Sequence, residues 1–475
     1  MWPGAGGNPI RGDPPVRIRD VAVVVDTHTQ VSQVQRANGA ASVGLLVYKQ
    51  ASANTPGARP DIVVGEGFTH VRQVADGSLL AGTQESSALL DTAAALQPLV
   101  RGYQDEIERE RRIPPPLVDQ LRAAGLYRMI VPRQLGGLQV DLPTFLRVAE
   151  LIAEADGSTG WNLTNNAVGQ LVALSLPDDG VSDIFAGGAT TIIAGTAVPG
   201  GGKAVAVDGG FVVTGRWRFG SGCQESQWML GNFEVSDADG PRLDPDGTPA
   251  VYRGFFAPAE CTIIDTWDMT GMRGTGSHDW AVADVFVPRR RTVHVPGALL
   301  HNQWQRWPGT LYQLPIHALV GPHHSIVATG IARAGIDALV ELAGAKVPRG
   351  RTGLLREREH VQDAVARAEG LLRAGQTFRA AAVGDVWETV AAGRQTTLQQ
   401  RALCRIAASF AVDSARQAMD LVYRAGGTTS NQRTHQLARC WRDLHVVAQA
   451  ASVMPDWYAT AGRVLLGLDA SPRLT

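Results

Sequence analysis

The sequence predicts an α+β protein in three consecutive parts: helices, then strands, then a bundle of four or so helices. Three observations predict it. Apolar residues recur at helical spacing over residues 86–188, the period falls to two between about 190 and 295, and helical spacing returns after about 310. Strands and helices nowhere alternate as they do in a parallel α/β sheet. At 475 residues the chain is long enough for two or three domains sharing a core.

Residues 1–85 are rich in Gly, Pro, Ser and Ala. Their short apolar runs (VAVVV, VGLLVY, DIVVG) build no sustained period, so they read as a poorly ordered extension. Over 86–188, ALLDTAAALQPLVRGYQDEIERER reads as one helix, and IPPP stops it and starts the next. LVDQLRAAGLYRMIVPRQLGG reads as a second helix ended by Pro and a Gly pair. In the third, Leu142, Phe145, Leu146, Ala149, Ile152 and Ala153 make one buried face. A fourth starts near DGSTGWNLTNN with Asp156 or Ser158 as cap, leaving open which way Asn165, Asn166 and Gln170 point.

The β domain, 189–300, opens with a hairpin, KAVAVDGGFVVTGRW, turning at Asp208-Gly209-Gly210. WMLGNFEV, YRGFFAP and WAVADVFVP follow as strands. The bundle, 301–475, contains SIVATGIARAGIDALVELAG, REREHVQDAVARAEGLLRAG, TTLQQRALCRIAASFAVDSARQAMDLVYRAGG and LARCWRDLHVVAQAASV.

A net charge of −1 with both signs interspersed gives no field to attract nucleic acid or an anionic membrane. Four scattered cysteines form no C-x-x-C pair, which suits a reducing cytoplasm, and no signal-peptide pattern or membrane span is present. Ser221 is not a nucleophile elbow, since Phe219 and Cys223 stand where G-x-S-x-G needs glycine. Gly202-Lys203 is preceded by Ala197 where a phosphate loop needs glycine, so PGGGK reads as a strand connection. There is no complete G-x-G-x-x-G, and hence no Rossmann nicotinamide site. His323-His324 is an adjacent pair, not a helical metal-ligand pair. GRWRFGSG remains. A flat heteroaromatic ring such as a flavin needs aromatic walls beside exposed N–H and hydroxyl groups, and this segment offers both.

RRIPPPLVDQLRAAGLYRMIVPRQLGG, GRWRFGSG, GMRGTGSHDWAVADVFVP, YRAGGTTS and ARCWRDLH together resemble the acyl-CoA dehydrogenase superfamily, in order from about 86 to 470. The resemblance implies that family's fold: an N-terminal helical domain, a middle β-sandwich or barrel, and a C-terminal four-helix bundle. The catalytic glutamate of the dehydrogenases has no counterpart, because no Glu follows Glu388 and none lies between Glu260 and Glu341. Asp443 or Asp456 would have to substitute in a dehydrogenase-like or nitroalkane-oxidase-like alternative. W-R-F-G-S-G and RDLH instead resemble the oxygenase components of two-component flavin monooxygenases that hydroxylate phenols.

That branch implies reduced FMN or FAD from a separate NAD(P)H-dependent reductase, O2, a C4a-hydroperoxide, a small aromatic substrate and a homotetramer. On the resemblance, the Ser221 hydroxyl or a neighbouring backbone N–H meets flavin N5, and Trp217 and Phe219 wall the ring beside Gly222. Arg273 and Ser277 serve the flavin, while Gly426 and Gly427 admit a neighbouring subunit's flavin. Asn165, Thr196 and Trp161 line the substrate pocket. A phenol, with a pKa of about 10, needs a base at neutral pH, and His445 on the stripe of Trp441 and Leu437 is placed for it.

Overall fold

The computed structural model describes residues 84–196, 200–295, 303–469, 471 and 474, together with strands β1 (Gln35–Ala37) and β2 (Ala40–Ser42). The chain divides into two units, Met1–Gln73 and Val74–Thr475. In the first, β1 and β2 pair antiparallel. The disorder expected for the remaining extension lies outside the described residues.

The second unit opens with α1 (Gln84–Gly102) and α2 (Gln104–Glu110), where a single helix was expected. The break is at Tyr103, whose N–H closes a tighter turn onto Val100. Helix α3 (Pro115–Ala123) starts on the proline run but stops early, because Gly125 takes φ 80° and ends it in the left-handed region. The rest of the expected second helix folds as short 3-10 turns at Leu126–Arg128 and Arg133–Leu135. Helix α4 (Leu142–Ala155) is capped by Asp141, and α5 (Gly157–Ala173) by Asp156, whose carboxylate accepts the Thr159 N–H at 2.7 Å. On α5, Asn166 and Gln170 are buried and Asn165 is half-buried. Helix α6 (Asp178–Ile184) leads into the sheet.

The strands are β3 (Ile193–Gly195), β4 (Gly202–Val207), β5 (Gly210–Gly220), β6 (Trp228–Asp237), β7 (Gly240–Pro241), β8 (Val251–Phe256), β9 (Thr262–Ile264), β10 (His278–Pro288) and β11 (Thr292–His294). Seven run in the order β11-β8-β6-β4-β5-β10-β9, with β3 and β7 also paired to β6. The β4–β5 hairpin turns at Asp208-Gly209, where Gly209 has φ 76°. One aromatic centre organises this sheet. Trp217 stacks on Trp280 at 4.3 Å and donates its indole N–H to the Asn232 carbonyl at 2.8 Å. A Cβ on Gly201, Gly202, Gly215 or Gly231 would come within 2.7 Å of the Trp217 side chain, so these glycines make room for one indole.

After the short helices α7 (Thr310–Gln313) and α8 (Ile316–Leu319), the bundle comprises α9 (Pro322–Ala345), α10 (Glu359–Ala391), α11 (Leu398–Ala425) and α12 (Gln436–Val447), followed by α13 (Asp456–Leu465). Helix α9 is central, packing on α4 as well as on α10, α11 and α12. Buried Glu150 on α4 pairs with Arg379 on α10 at 3.0 Å. Burial pushes its carboxyl up, but Arg379 and Arg147 outweigh this and hold it below its ordinary value. No described helix is long and apolar enough to cross a membrane.

Candidate functional site at the end of the fifth strand

Along β5 the period of two fails at its last turn. Trp217 is 2% exposed, yet Phe219, two residues on, is 56% exposed. Phe219 has φ 64°, a left-handed conformation that a bulky residue adopts only when its surroundings impose it. Its ring stands edge-on to Trp267 at 6.2 Å. Phe219 is therefore placed to wall a flat ligand. Trp217, enclosed in the sheet core, has no face to offer one, contrary to the sequence expectation.

The turn then consumes its own backbone donors. Ser221 N–H bonds the Phe219 carbonyl at 2.9 Å, and Gly222 N–H bonds the Thr275 carbonyl at 2.8 Å. Of the two groups expected to meet a ligand, only the Ser221 hydroxyl remains. It is half-buried, lies 2.7 Å from the Ser277 hydroxyl and accepts the Trp161 indole N–H at 3.1 Å. Ser277 in turn lies 2.7 Å from the Thr275 hydroxyl, which bonds the Met272 carbonyl at 2.9 Å.

The segment 271–277 that carries Ser277 is clamped on several sides. A Cβ on Gly271 would sit 2.5 Å from the Arg442 carbonyl group, and one on Gly274 would sit 2.0 Å from Ile107. Left-handed Met272 donates its N–H to Asp443 on α12 at 2.5 Å. Arg273 bonds Asp268 at 2.5 Å and the Glu108 carbonyl at 3.1 Å. These contacts make Arg273 part of the clamp. On α12, Arg439 reaches Asp105 at 2.5 Å and Arg442 reaches Glu108 at 3.0 Å, tying the bundle to α2.

Behind Ser221, the Trp161 ring lies flat on His324, 4.0 Å away with 5° between planes. His324 Nδ1 is 2.5 Å from the Ser452 hydroxyl, while its enclosed Nε2 has no hydrogen-bond partner among the described residues. Burial, with His323 and Arg405 nearby, holds His324 well below the usual imidazole range, and burial brings His323 down to about 4. Both rings are neutral at pH 7. Asn162, one helical step from Trp161, donates to the Thr275 carbonyl, and its interior Oδ1 is unpaired among the described residues. From sequence, His324 was weighed only as a metal ligand, and Asn162 and Thr275 were not singled out. Helical spacing reports only neighbours on one helix, whereas His324 meets Trp161, and Asn162 meets Thr275, across separate elements. Asn165 bonds the Trp161 carbonyl at 2.9 Å, and Thr196 N–H bonds the Leu230 carbonyl at 2.9 Å.

His445 stands elsewhere. Its Nδ1 bonds the Trp441 carbonyl at 2.7 Å, its ring lies 4.2 Å from the Trp441 ring, and Nε2 is 3.5 Å from Asp420 on α11. Among the described residues, no contact of His445 reaches Ser221 or a residue bonded to it. Asp443, on the inner side of the same helix, is buried, which with Asp156 and Glu108 nearby raises its carboxyl to about 7. Its bond to Met272 and its burial under Gly271 suit a structural role. Asp456 is exposed in the first turn of α13. Gly426 is small for a reason internal to the chain, since a Cβ would meet Ser430 at 2.2 Å and Leu437 at 2.7 Å. Gly427 has φ 64°, and a Cβ there would find only the Lys346 amine, at 3.8 Å.

Among the described residues, the groups around this corner that could serve a flat ring with apolar faces and a polar edge are exposed Phe219, the half-buried Ser221 hydroxyl, and the enclosed, unpaired Asn162 Oδ1 and His324 Nε2.

Comparison with known proteins bears on the fold and the family. Residues 83–175 match the acyl-CoA dehydrogenase N-terminal domain model, and 323–455 match an acyl-CoA dehydrogenase C-terminal domain model. The chain is 30% identical over 366 residues to the flavin-dependent monooxygenase, oxygenase subunit HsaA, of Rhodococcus jostii, covering 76% of this chain and 94% of that protein. It is 29% identical over 392 residues to indole-3-acetate monooxygenase of Pseudomonas putida, covering 81% and 97%. The crystal structure of 3-HSA hydroxylase from a Rhodococcus species superposes with TM-score 0.74 at 27% identity, covering 83% of this chain and 99% of that one. The chain belongs to the acyl-CoA dehydrogenase superfamily, among its flavin-dependent monooxygenases.

Proposed function

We propose that this protein is the oxygenase component of a two-component system that hydroxylates a small aromatic, phenol-type substrate. A separate NAD(P)H-dependent reductase supplies reduced FMN or FAD. The observation that carries this reading is the Ser221 hydroxyl, held by Trp161 and Ser277 beside the left-handed, exposed Phe219. A relative named as an oxygenase subunit, and another named as the oxygenase component of an FADH2-dependent resorcinol hydroxylase, support the division of labour. When bound in reduced form, the flavin supplies two electrons to O2, so that one oxygen atom enters the substrate and the other leaves as water.

The chain's own residues do the rest. Ser221 holds the nitrogen edge of the ring and Phe219 covers a face. Trp161 fixes Ser221 from behind and, through its stack, fixes the plane of His324. His324 Nε2, unpaired and neutral, meets the substrate hydroxyl and orients it, in place of the role expected of His445. Asn162 Oδ1 and the half-buried Asn165 lie on the same helix as Trp161. Burial of these groups excludes water and strengthens each hydrogen bond made there. The homotetramer implied by the family, with Gly427 open toward a neighbour, and a cytoplasmic location, suited by four unpaired cysteines, belong to the same proposal.

The test is to mix the protein with chemically reduced FMN or FAD in buffer equilibrated with oxygen-18 gas, together with a panel of phenols and aromatic acids. Mass spectrometry should find one labelled oxygen in at least one product. Turnover without label in any product would remove the monooxygenase reading.

A further inference from the structure

Building on the flavin reading above, we propose that Ser277 and Thr275 are positioning residues that fix the polarity of the Ser221 hydroxyl. The site thereby selects a ring nitrogen that carries hydrogen, as in reduced flavin, over one that carries a bare lone pair, as in oxidised flavin.

The polarity follows from counting hydrogens. The Met272 carbonyl can only accept, and it receives the Thr275 hydroxyl at 2.9 Å, the Trp267 indole N–H at 2.9 Å and, at a longer 3.2 Å, the Thr275 backbone N–H. Thr275 has a single hydroxyl hydrogen. With that hydrogen on Met272, its 2.7 Å contact with Ser277 requires Ser277 to donate. The one hydrogen of Ser277 is then used, so its 2.7 Å contact with Ser221 requires Ser221 to donate. Trp161 N–H, a donor only, occupies one of the two Ser221 lone pairs. What Ser221 presents outward is therefore a lone pair, an acceptor.

Reversing the chain would make Ser221 an outward donor, but Thr275 would then have to release the Met272 carbonyl and turn its hydrogen to Ser277. That forfeits one buried hydrogen bond, a bias of roughly threefold to tenfold. No backbone donor beside Ser221 can take over, because the N–H groups of Ser221 and Gly222 are already bonded. An N–H at the ring edge completes the chain; a lone pair there repels it.

The experiment measures affinity, not turnover. Reduced FMN and FAD are titrated anaerobically, and the oxidised forms aerobically, into the wild-type protein and into Ser277→Ala, Thr275→Val and Thr275→Ser. The Met272 carbonyl keeps its Trp267 bond in Thr275→Val, so this variant leaves no unsatisfied acceptor there. The preference for reduced over oxidised flavin should shrink roughly fivefold in Ser277→Ala and Thr275→Val, mostly through tighter oxidised binding, and should return in Thr275→Ser. A second measurement needs no variant. Oxidised 5-deazaflavin has C–H where oxidised flavin has the lone pair, so the wild-type protein should bind it several-fold more tightly than oxidised flavin. The proposal is overturned by equal wild-type binding of these two, by unchanged ratios in both hydroxyl-deleting variants with wild-type melting temperatures, or by Thr275→Ser behaving like Thr275→Val. Absence of any flavin binding by the wild-type protein is a different result and refutes the functional reading itself.

Discussion

The Ser221 corner and the outer side of α12 are built from the same parts: a tryptophan, a histidine ring in contact with it and an indole N–H bonded to an oxygen. At the corner these are Trp161, His324 and Ser221; at α12 they are Trp441, His445 and, from neighbouring α11, Asp420. They differ in what is left over. His445 has both ring nitrogens engaged, by the Trp441 carbonyl and Asp420. Among the described residues, His324 keeps an enclosed, unpaired Nε2, and the same corner holds the Ser221 hydroxyl and an asparagine oxygen, Asn162 Oδ1, with no partner. Unmet valence in an enclosed place is costly unless something else meets it. It is therefore a better pointer to a binding site than the presence of a histidine.

The largest test of the contrast separates the two regions. Gly271 lies between them, its Cα against the Arg442–Asp443 backbone of α12 and its chain running on to Ser277. In Gly271→Val the new side chain would press on backbone atoms that cannot rotate away. We expect at least about 4 kcal/mol of destabilisation in denaturant unfolding and loss of flavin binding. Wild-type stability would show that the segment 271–277 is not the clamp described above.

Next in size is the pH dependence of the clamp. Asp443 titrates near 4 when unfolded and at about 7 when folded, so between these values the folded protein holds more protons. Its contribution therefore falls as pH rises through this window: no penalty below about 4, and the full penalty above about 7. Asp443→Asn keeps an oxygen for the Met272 N–H but removes the charge. Unfolding free energies at pH 5 and pH 8 should show the variant gaining about 2–3 kcal/mol on the wild type between the two values. A constant difference would place Asp443 in the ordinary carboxylate range.

Much of the fold was legible because it rests on periodicity: α4, the β4–β5 hairpin, α9 and α11 form where apolar spacing placed them, while α10 runs on to Ala391 beyond its expected stretch and α12 stops at Val447 short of its own. The misread parts depend on single backbone angles. Nothing in LVDQLRAAGLYRM separates a glycine inside a helix from one at φ 80° that ends it, and nothing in RWRFG marks Phe219 as left-handed. Strict alternation would have put Trp217 and Phe219 on one face, whereas the wall assigned to Trp217 came from the resemblance of GRWRFGSG. In the site, Ser221, Ser277 and Trp161 were reached through motif resemblance. His324 was passed over because its meaning comes from a ring on another helix.

The smallest effect sharpens the comparison most, because it pits the two histidines against each other under one assay. His324→Ala removes the unpaired Nε2 and one face of the Trp161 stack, so labelled product per reduced flavin should fall about tenfold, the worth of one hydrogen bond to a substrate in an enclosed site. Flavin affinity should change less, because Ser221 keeps its bonds to Trp161 and Ser277. His445→Ala removes a half-exposed ion pair with Asp420 and an aromatic contact, worth less than about 1 kcal/mol in stability. Its product yield should stay within about twofold of wild type, because the imidazole bonds to groups that do not lead to Ser221. If instead His445→Ala lost product while His324→Ala kept it, enclosed unmet valence would be the wrong guide in this protein. The proton of the substrate would then be handled from α12, through a pocket that one copy of the chain does not close by itself.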